Sequence, residues 1–336
     1  MTPDDPPETP LDPRLAALGM TSPVALAPMA GVTDRPFRDL VTRFGVGLVV
    51  SEMVASREMV GATPSVRARA ELGARVEGTA VQIAGREASW MAEAARMVEG
   101  QGARSIDINM GCPARKVTGG LSGSALLRDH DHALRLIEAV VGAVSVPVTL
   151  KTRLGWDDAS RDTARLAVRA EAAGVAMLAI HGRTRCAFYG GRADWDAIRE
   201  IVAAVSIPVV ANGDIGSTAD ARRALAASGA AGAMIGRAAR GRPWLPAQVA
   251  AALTGAAPCP DPSPREVVAV ALAHYAAMRI FYGELGARVA RKHLGWYMDR
   301  TSTPADLRAR VLTAPPDAVP SLLADALDRG TGRRAA

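Results

Sequence analysis

The chain has 336 residues, 49% of them hydrophobic, with a formal net charge of +6 and a sequence pI near 9.7. That much apolar material can bury a large core, and no uninterrupted apolar run approaches the ~20 residues of a membrane helix. Three cysteines without a C-x-x-C pair argue against a disulfide framework or a zinc site, and the Pro- and Asp-rich stretch Met1 to Leu15 lacks a secretory apolar core, so a cytoplasmic, metal-free protein is expected.

In chain order, Val24 to Pro28 has the composition of a buried strand, followed by a loop and a helix over Arg35 to Phe44. Leu48 to Met53 forms a second strand and Ala80 to Ala84 a third, with a helix from Glu87 to Glu99. Arg104 to Asn109 is the fourth, with alternating Ile106 and Ile108 and a helix later at His132 to Val144. Val146 to Arg153 precedes a helix over Arg161 to Ala173, and Ala176 to His181 one over Asp194 to Val205. Ile207 to Asn212 precedes a helix over Thr218 to Ala227, and Ala231 to Gly236 is the eighth strand. Eight such units in α/β alternation match a (β/α)8 TIM barrel. A doubly wound open sheet is the alternative, but the G-x-G-x-x-G turn expected after its first strand is absent.

Residues 1–20 are expected to be a disordered tail and 21–255 the barrel. A stiff Pro-rich linker follows at 256–264, then a smaller all-helical domain at 265–328 and a basic tail at 329–336. The basic residues are skewed, 37 Arg against Lys116, Lys151 and Lys292, which draws attention to each lysine.

Polar motifs sit where the strands end. Gln82 lies on strand three, Asn109 and Cys112 at the end of four, Lys151 and Arg153 at five. His181-Gly-Arg183 ends strand six, Asn212-Gly213-Asp214 seven and Gly236-Arg237 eight. In a barrel these ends converge on the catalytic face. Gly213 and Gly236 either close tight loops or, with helix N-termini, form a phosphate site. His181 is either a ligand-facing group or a hydrogen-bonded histidine of the barrel mouth. Cys112 sits in a Gly-Cys-Pro turn before Arg115 and Lys116. A buried hydrophobe is its bland reading, whereas the turn and the cations favour a functional thiol. Cys186, after strand six, is its rival, and Cys259 in the linker has no chemical neighbours.

The positive charge suits an anionic partner. Arg288, Arg291 and Lys292 recur at helical spacing, near His293, Arg300, Trp296 and Tyr297. A basic face with adjacent aromatics suits RNA, with Trp296 assigned to the helical core.

Together these motifs resemble the tRNA-dihydrouridine synthases, in particular the bacterial B-type subgroup. The resemblance rests on Ala-Pro-Met-Ala-Gly-Val-Thr-Asp at 27–34, Asp-Ile-Asn-Met-Gly-Cys-Pro at 107–113, Lys-Thr-Arg at 151–153, His-Gly-Arg-Thr at 181–184, Ala-Asn-Gly-Asp-Ile at 211–215, Ile-Gly-Arg at 235–237 and Arg-Lys-His-Leu-Gly-Trp-Tyr at 291–297. It implies an enzyme that reduces uridine in tRNA with FMN, re-reduced by NADPH. By the same resemblance FMN contacts Pro28, Met29, Ala30, Gln82, Lys151, Asn212, Gly213, Asp214, Gly236 and Arg237, with His181 beside cofactor or substrate. Cys112 becomes the proton donor to C5 after hydride reaches C6. Asn109, Arg115, Lys116, Arg153, Arg183, Arg288, Arg291 and Lys292 are expected on the RNA side, with Arg115 and Lys116 turned away from the thiol. Lys151 suits the charge that reduced flavin carries, and Gln82 suits its pyrimidine edge.

Two other readings compete. One is an FMN barrel acting on a free pyrimidine or another small conjugated substrate, which leaves the helical domain unexplained. The other is a non-catalytic RNA-binding or regulatory protein on the same scaffold.

Overall fold

A computed structural model of the chain describes residues 11–61, 71–72, 79–257 and 259–332. Its strands are β1 (Val24–Leu26), β2 (Leu48–Val50), β3 (Val54–Ala55), β4 (Thr79–Ala84), β5 (Ser105–Met110), β6 (Val148–Arg153), β7 (Met177–His181), β8 (Val209–Asn212) and β9 (Gly232–Ile235). All pair in parallel, in the order β2-β1-β9-β8-β7-β6-β5-β4-β3, and β2 also pairs with β4. That last pairing closes an eight-stranded TIM barrel and rules out the open doubly wound sheet.

β3 is a two-residue continuation of β2 along the same partner: Val49 faces Thr79 of β4, and Val54 faces Ile83. The single strand expected over Leu48 to Met53 is therefore broken at Ser51–Met53. Neither Gly nor Pro marks the break. The Ser51 hydroxyl sustains it by accepting from Gln82 N at 3.0 Å and donating to the Glu52 carbonyl at 2.9 Å. The break turns Met53 into the barrel mouth.

Before, between and after the strands run α1 (Pro13–Ala17), α2 (Arg35–Phe44), α3 (Ser56–Val60), α4 (Ala88–Gly100), α5 (Arg115–Thr118), α6 (His130–Val141), α7 (Thr163–Ala172), α8 (Asp196–Ala204), α9 (Thr218–Ser228) and α10 (Leu245–Thr254). Strand side chains alternate between two destinations. Ile106, Ile108, Leu150, Leu178 and Ile180 face outward into the apolar layer beneath the helices. Inside, the amino-terminal half is apolar, with Ala25, Leu48, Met177, Val210 and Met234. The carboxyl-terminal half is polar, with Gln82, Asp107, Asn109, Thr149, Lys151 and Asn212 all buried.

The expected disordered tail needs correction. Residues 13–17 form α1, started by Asp12, whose side chain accepts from Arg14 N. Leu15 is fully buried and joins the lower barrel layer, so α1 plugs the floor. Residues 1–10 lie outside the described residues.

Beyond the barrel come α11 (Pro264–Tyr282), α12 (Gly286–Arg300), α13 (Ala305–Thr313) and α14 (Val319–Gly332). Ser263 and Glu266 form a capping box that starts α11 within the expected linker. Of that linker, Pro258 lies outside the described residues, as do residues 333–336 of the expected basic tail. A core of Ala271, Tyr275, Met278, Leu294, Met298 and Leu323 unites these helices. Gly286 permits the tight α11–α12 corner, since a Cβ there would lie 2.6 Å from the Met278 carbonyl oxygen. Against the barrel, Phe37 of α2 meets the rings of His274 and His293, each at 5.6 Å between centroids. No described helix is long and apolar enough to cross a membrane.

Because Leu15 fills the barrel floor, Leu15→Ala is expected to cost about 2–5 kcal/mol of unfolding free energy, the range for a buried leucine leaving a cavity. Urea unfolding measures it, and a loss under about 0.5 kcal/mol would show the plug to be dispensable.

Candidate active site

A cavity of about 770 Å³ opens at the carboxyl ends of the strands. It falls within the usual size range of small-molecule sites. Pro28, Met29, Ala30, Gln82, Lys151, His181, Asn212, Gly213, Asp214, Gly236 and Arg237 all line it, together with Asn109, Cys112 and Arg153. Residues spread over more than 200 positions thus meet on one surface because each ends, or directly follows, a parallel strand. Cys186 is exposed and does not line the cavity, whereas Cys112 does.

A chain of hydrogen bonds inside the barrel leads to Cys112. Asp107 is buried, and its carboxylate accepts from Thr149 Oγ1 at 2.7 Å and from Gln82 Nε2 at 2.6 Å. Gln82 Oε1 accepts from Asn109 Nδ2 at 2.8 Å. Asn109 Oδ1 then accepts from the backbone N–H groups of Gly111 and Cys112, at 3.2 and 3.0 Å. Gln82 keeps one amide hydrogen for a ligand. On the other side of the turn, Ser124 Oγ donates to the Cys112 carbonyl at 2.9 Å. Arg153 Nε donates to the Gly111 carbonyl at 2.7 Å.

Lys151 donates from Nζ to Asn212 Oδ1 at 3.1 Å, and Asn212 Nδ2 donates to the Met234 carbonyl at 2.8 Å. Burial, reinforced by Arg153, pulls the Lys151 ammonium down to about 8, with Asp107 and Cys112 acting the other way. Two of its hydrogens remain free for a ligand. His181 accepts from Arg183 Nη1 at its Nε2, at 3.2 Å, because a guanidinium can only donate. The ring is therefore neutral with its proton on Nδ1. Burial first, then Lys151, Arg153 and other cations, push His181 down to about 2.

Two residues expected on the RNA side are instead internal braces. Arg153 is buried, and its Nη1 donates to the carbonyls of Thr184 and Phe188 at 3.0 and 2.9 Å. Arg183 is buried too, donating to Asp214 and to the carbonyls of Gly190 and Gly191. Guanidiniums with their donors committed to neighbouring loops are poor candidates for RNA phosphate. Asp214 lines the cavity near Gly236 and Arg237 but is a carboxylate. Burial alone would raise it, yet the bonds from Arg183 and Ala193 N, with Arg237 nearby, hold it below its ordinary value. It anchors Arg183 and Arg237, the latter at 3.2 Å, and so keeps positive charge at this end.

Gly213 has φ +113, and a Cβ there would come within 2.7 Å of the His181 ring, so a side chain would crowd this corner of the mouth. With Gly213 and Gly236, the Lys151 ammonium, Arg237 and the spare Gln82 amide on one cavity wall, the donor set fits a flavin.

A family model described as dihydrouridine synthase matches residues 25–315. The chain belongs to the dihydrouridine synthase family. It is 62% identical over 303 residues to a protein of Rhodobacter capsulatus named probable tRNA-dihydrouridine synthase, covering 89% of this chain and 93% of that protein. It is 48% identical over 297 residues to tRNA-dihydrouridine synthase B of Pseudomonas syringae pv. tomato, covering 88% of each. Among solved structures, a 2-naphthoyl-CoA reductase complex shares the barrel at a TM-score of 0.53 and 14% identity, over 68% of this chain and 50% of that one.

Several mouth residues of this family member escaped the sequence reading. Phe188 and Tyr189 stand exposed on the loop after β7, edge to face at 4.8 Å, and both line the cavity. Arg237 lies over the Tyr189 ring at 4.7 Å, and Arg240 over Trp296 at 4.9 Å. An aromatic pair in a Gly-flanked loop was the available signal. Trp296, assigned to the helical core, instead packs on the barrel side. His293 and Tyr297 are buried, not part of the basic face. Arg115 and Lys116 are exposed on α5, beside the Cys112 turn, while Arg288, Arg291 and Lys292 are exposed along α12.

Asn109→Ala is expected to unfold about 2 kcal/mol more easily, since it strands Gln82 and two loop N–H groups at once. Arg115→Ala, on the surface, should stay within about 0.5 kcal/mol of wild type. Chemical denaturation of both variants checks this, and equal losses would contradict the bracing role of Asn109.

Proposed function

We propose that this chain reduces uridines in tRNA to 5,6-dihydrouridine in the cytoplasm, with FMN as its cofactor and NADPH as the electron donor. The observation carrying this reading is that Cys112, Lys151 and the expected cofactor positions line one cavity, from which Cys186 is absent. Bound FMN would supply the hydride for C6 of uracil.

The remaining steps fall to the chain itself. Lys151, oriented by Asn212, would balance the negative charge of a bound flavin, and Gly213, Gly236 and Arg237 would hold its phosphate. Hydride arrival at C6 leaves an enolate across C5 and C4 of uracil. The Cys112 S–H bond breaks, its proton goes to C5, and the thiolate is reprotonated from solvent. His181, neutral with one ring proton committed to Nδ1, carries no extra proton at neutral pH, which supports Cys112 as the acid. Tyr189 and Phe188 offer rings on which an extruded base can stack. Arg115, Lys116, Arg288 and Arg291 supply exposed positive charge for the RNA backbone.

Cys112→Ala is expected to bind FMN and accept electrons from NADPH but to reduce uridine about 10²–10⁴-fold more slowly, the usual contribution of a general acid. Cys186→Ala should lose less than about tenfold, equivalent to ~1.4 kcal/mol of barrier. Single-turnover oxidation of pre-reduced enzyme by unmodified tRNA decides between them, and the opposite ranking would move the acid to the loop after β7.

FMN affinity should also depend on pH. The ammonium of Lys151 is present below about 8 and lost above it, so binding of the anionic cofactor should be flat just below that value and weaken as pH rises through it. Lys151→Met should lack that fall. Titration of apo-protein with FMN across this range tests it, and a wild-type profile identical to that of the variant would remove Lys151 from the site.

A further inference from the structure

The seam between the helical region and the barrel holds a polar cluster that the chemistry above does not use. Lys292 of α12 was expected beside Arg288 and Arg291 on the RNA face. Its Nζ lies 3.2 Å from where a Cβ would stand on Gly31, the residue following the Pro28-Met29-Ala30 loop. The Gly31 N–H donates to the Glu52 carboxylate, which is buried at the break between β2 and β3. Three residues further, Asp34 accepts from Phe37 N and from the Tyr282 hydroxyl of α11, both at 3.0 Å. Arg38 lies behind, buried and bonded to the Thr33 carbonyl at 2.6 Å.

Two barrel carboxylates thus share a seam with one ammonium from the helical region. Burial pushes Asp34 up to about 6, opposed by the bonds from Phe37 N and the Tyr282 hydroxyl; Glu52 adds to the rise and Lys292 to the opposition. The Lys292 ammonium lies over the Gly31 backbone at the edge of this cluster. The loop it overhangs is held on the barrel side by Thr33, whose Oγ1 accepts from Met29 N at 2.9 Å. Met29 in turn abuts the end of β9, its sulfur 3.9 Å from where a Cβ would stand on Gly236. The Gly31 backbone thus lies between the Lys292 ammonium of α12 and the cavity-lining loop that carries Met29.

We infer that Lys292 is a positioning residue for the flavin-holding loop after β1, so that the helical region contributes to FMN affinity as well as to RNA binding. This rests on the FMN reading of the cavity. Tyr282 assists from α11 by fixing Asp34, the residue that caps α2 just beyond the loop.

The test titrates full-length apo-protein with FMN and, separately, measures tRNA binding against salt concentration. Lys292→Met is expected to weaken FMN about tenfold, within the range of coupling between contacting groups, and Tyr282→Phe about threefold. Lys292→Arg, which keeps the charge, should remain within about threefold of wild type. Arg291→Met should leave FMN affinity unchanged and reduce the salt slope of tRNA binding by about one. Apo-protein melting temperature serves as the folding control; Lys292 is exposed, so its loss should not shift it. If Lys292→Met binds FMN within about twofold of wild type, the inference is overturned, whatever its effect on tRNA. If Lys292→Arg is as weak as Lys292→Met, it is overturned as well. Wild-type protein that takes up no FMN would instead refute the function proposed above.

Discussion

Asp107 imposes the constraint on which the barrel mouth depends. A carboxylate buried inside a closed barrel is tolerated only when hydrogen bonds meet its oxygens. Thr149 and Gln82 engage them, and with one amide N–H committed to Asp107, Gln82 presents its oxygen to Asn109. Asn109 is thereby turned so that its own oxygen meets the N–H groups of Gly111 and Cys112. The position of one thiol at the cavity wall is thus fixed by a sequence of satisfied hydrogen bonds that begins deep in the barrel. Burial raises Asp107, while those bonds and the Lys151 charge work to keep it ionised.

The positive charge of the mouth is divided by depth. Arg153 and Arg183 are buried and spend their donors on loop carbonyls and Asp214, so they shape the site. Lys151 lies at the cavity wall with spare hydrogens, and Arg237 is half-exposed at the rim. Arg115, Lys116, Arg288 and Arg291 face solvent. Burial therefore separates cations that brace the loops from cations that keep donors toward the cavity or solvent.

Much of this was legible in the sequence. Eight apolar strand segments alternating with helical ones, with polar motifs at the strand ends, predict the barrel and the face on which Gln82, Cys112, Lys151, His181 and Asn212 gather. The inward turn of Arg153 and Arg183 was not legible, because their acceptors are backbone carbonyls, which carry no sequence signal. The break at Ser51–Met53 was hidden for a related reason: a serine hydroxyl, not Gly or Pro, replaces the ladder bond. The burial of His293 and Tyr297 could have been found. Ala290, His293, Leu294, Tyr297 and Met298 repeat at helical spacing, which marks a packed face. The cluster of Asp34, Glu52, Tyr282 and Lys292 joins residues up to 258 positions apart and emerges only from the fold.

The most direct test of the account is to incubate the protein with FMN, NADPH and tRNA lacking modifications, then digest the RNA and weigh its nucleosides. The account predicts a uridine heavier by two hydrogen atoms, formed in intact tRNA and not from free uridine under the same conditions. Unchanged tRNA alongside reduction of the free nucleoside would contradict it, and would make this barrel an enzyme of small pyrimidines.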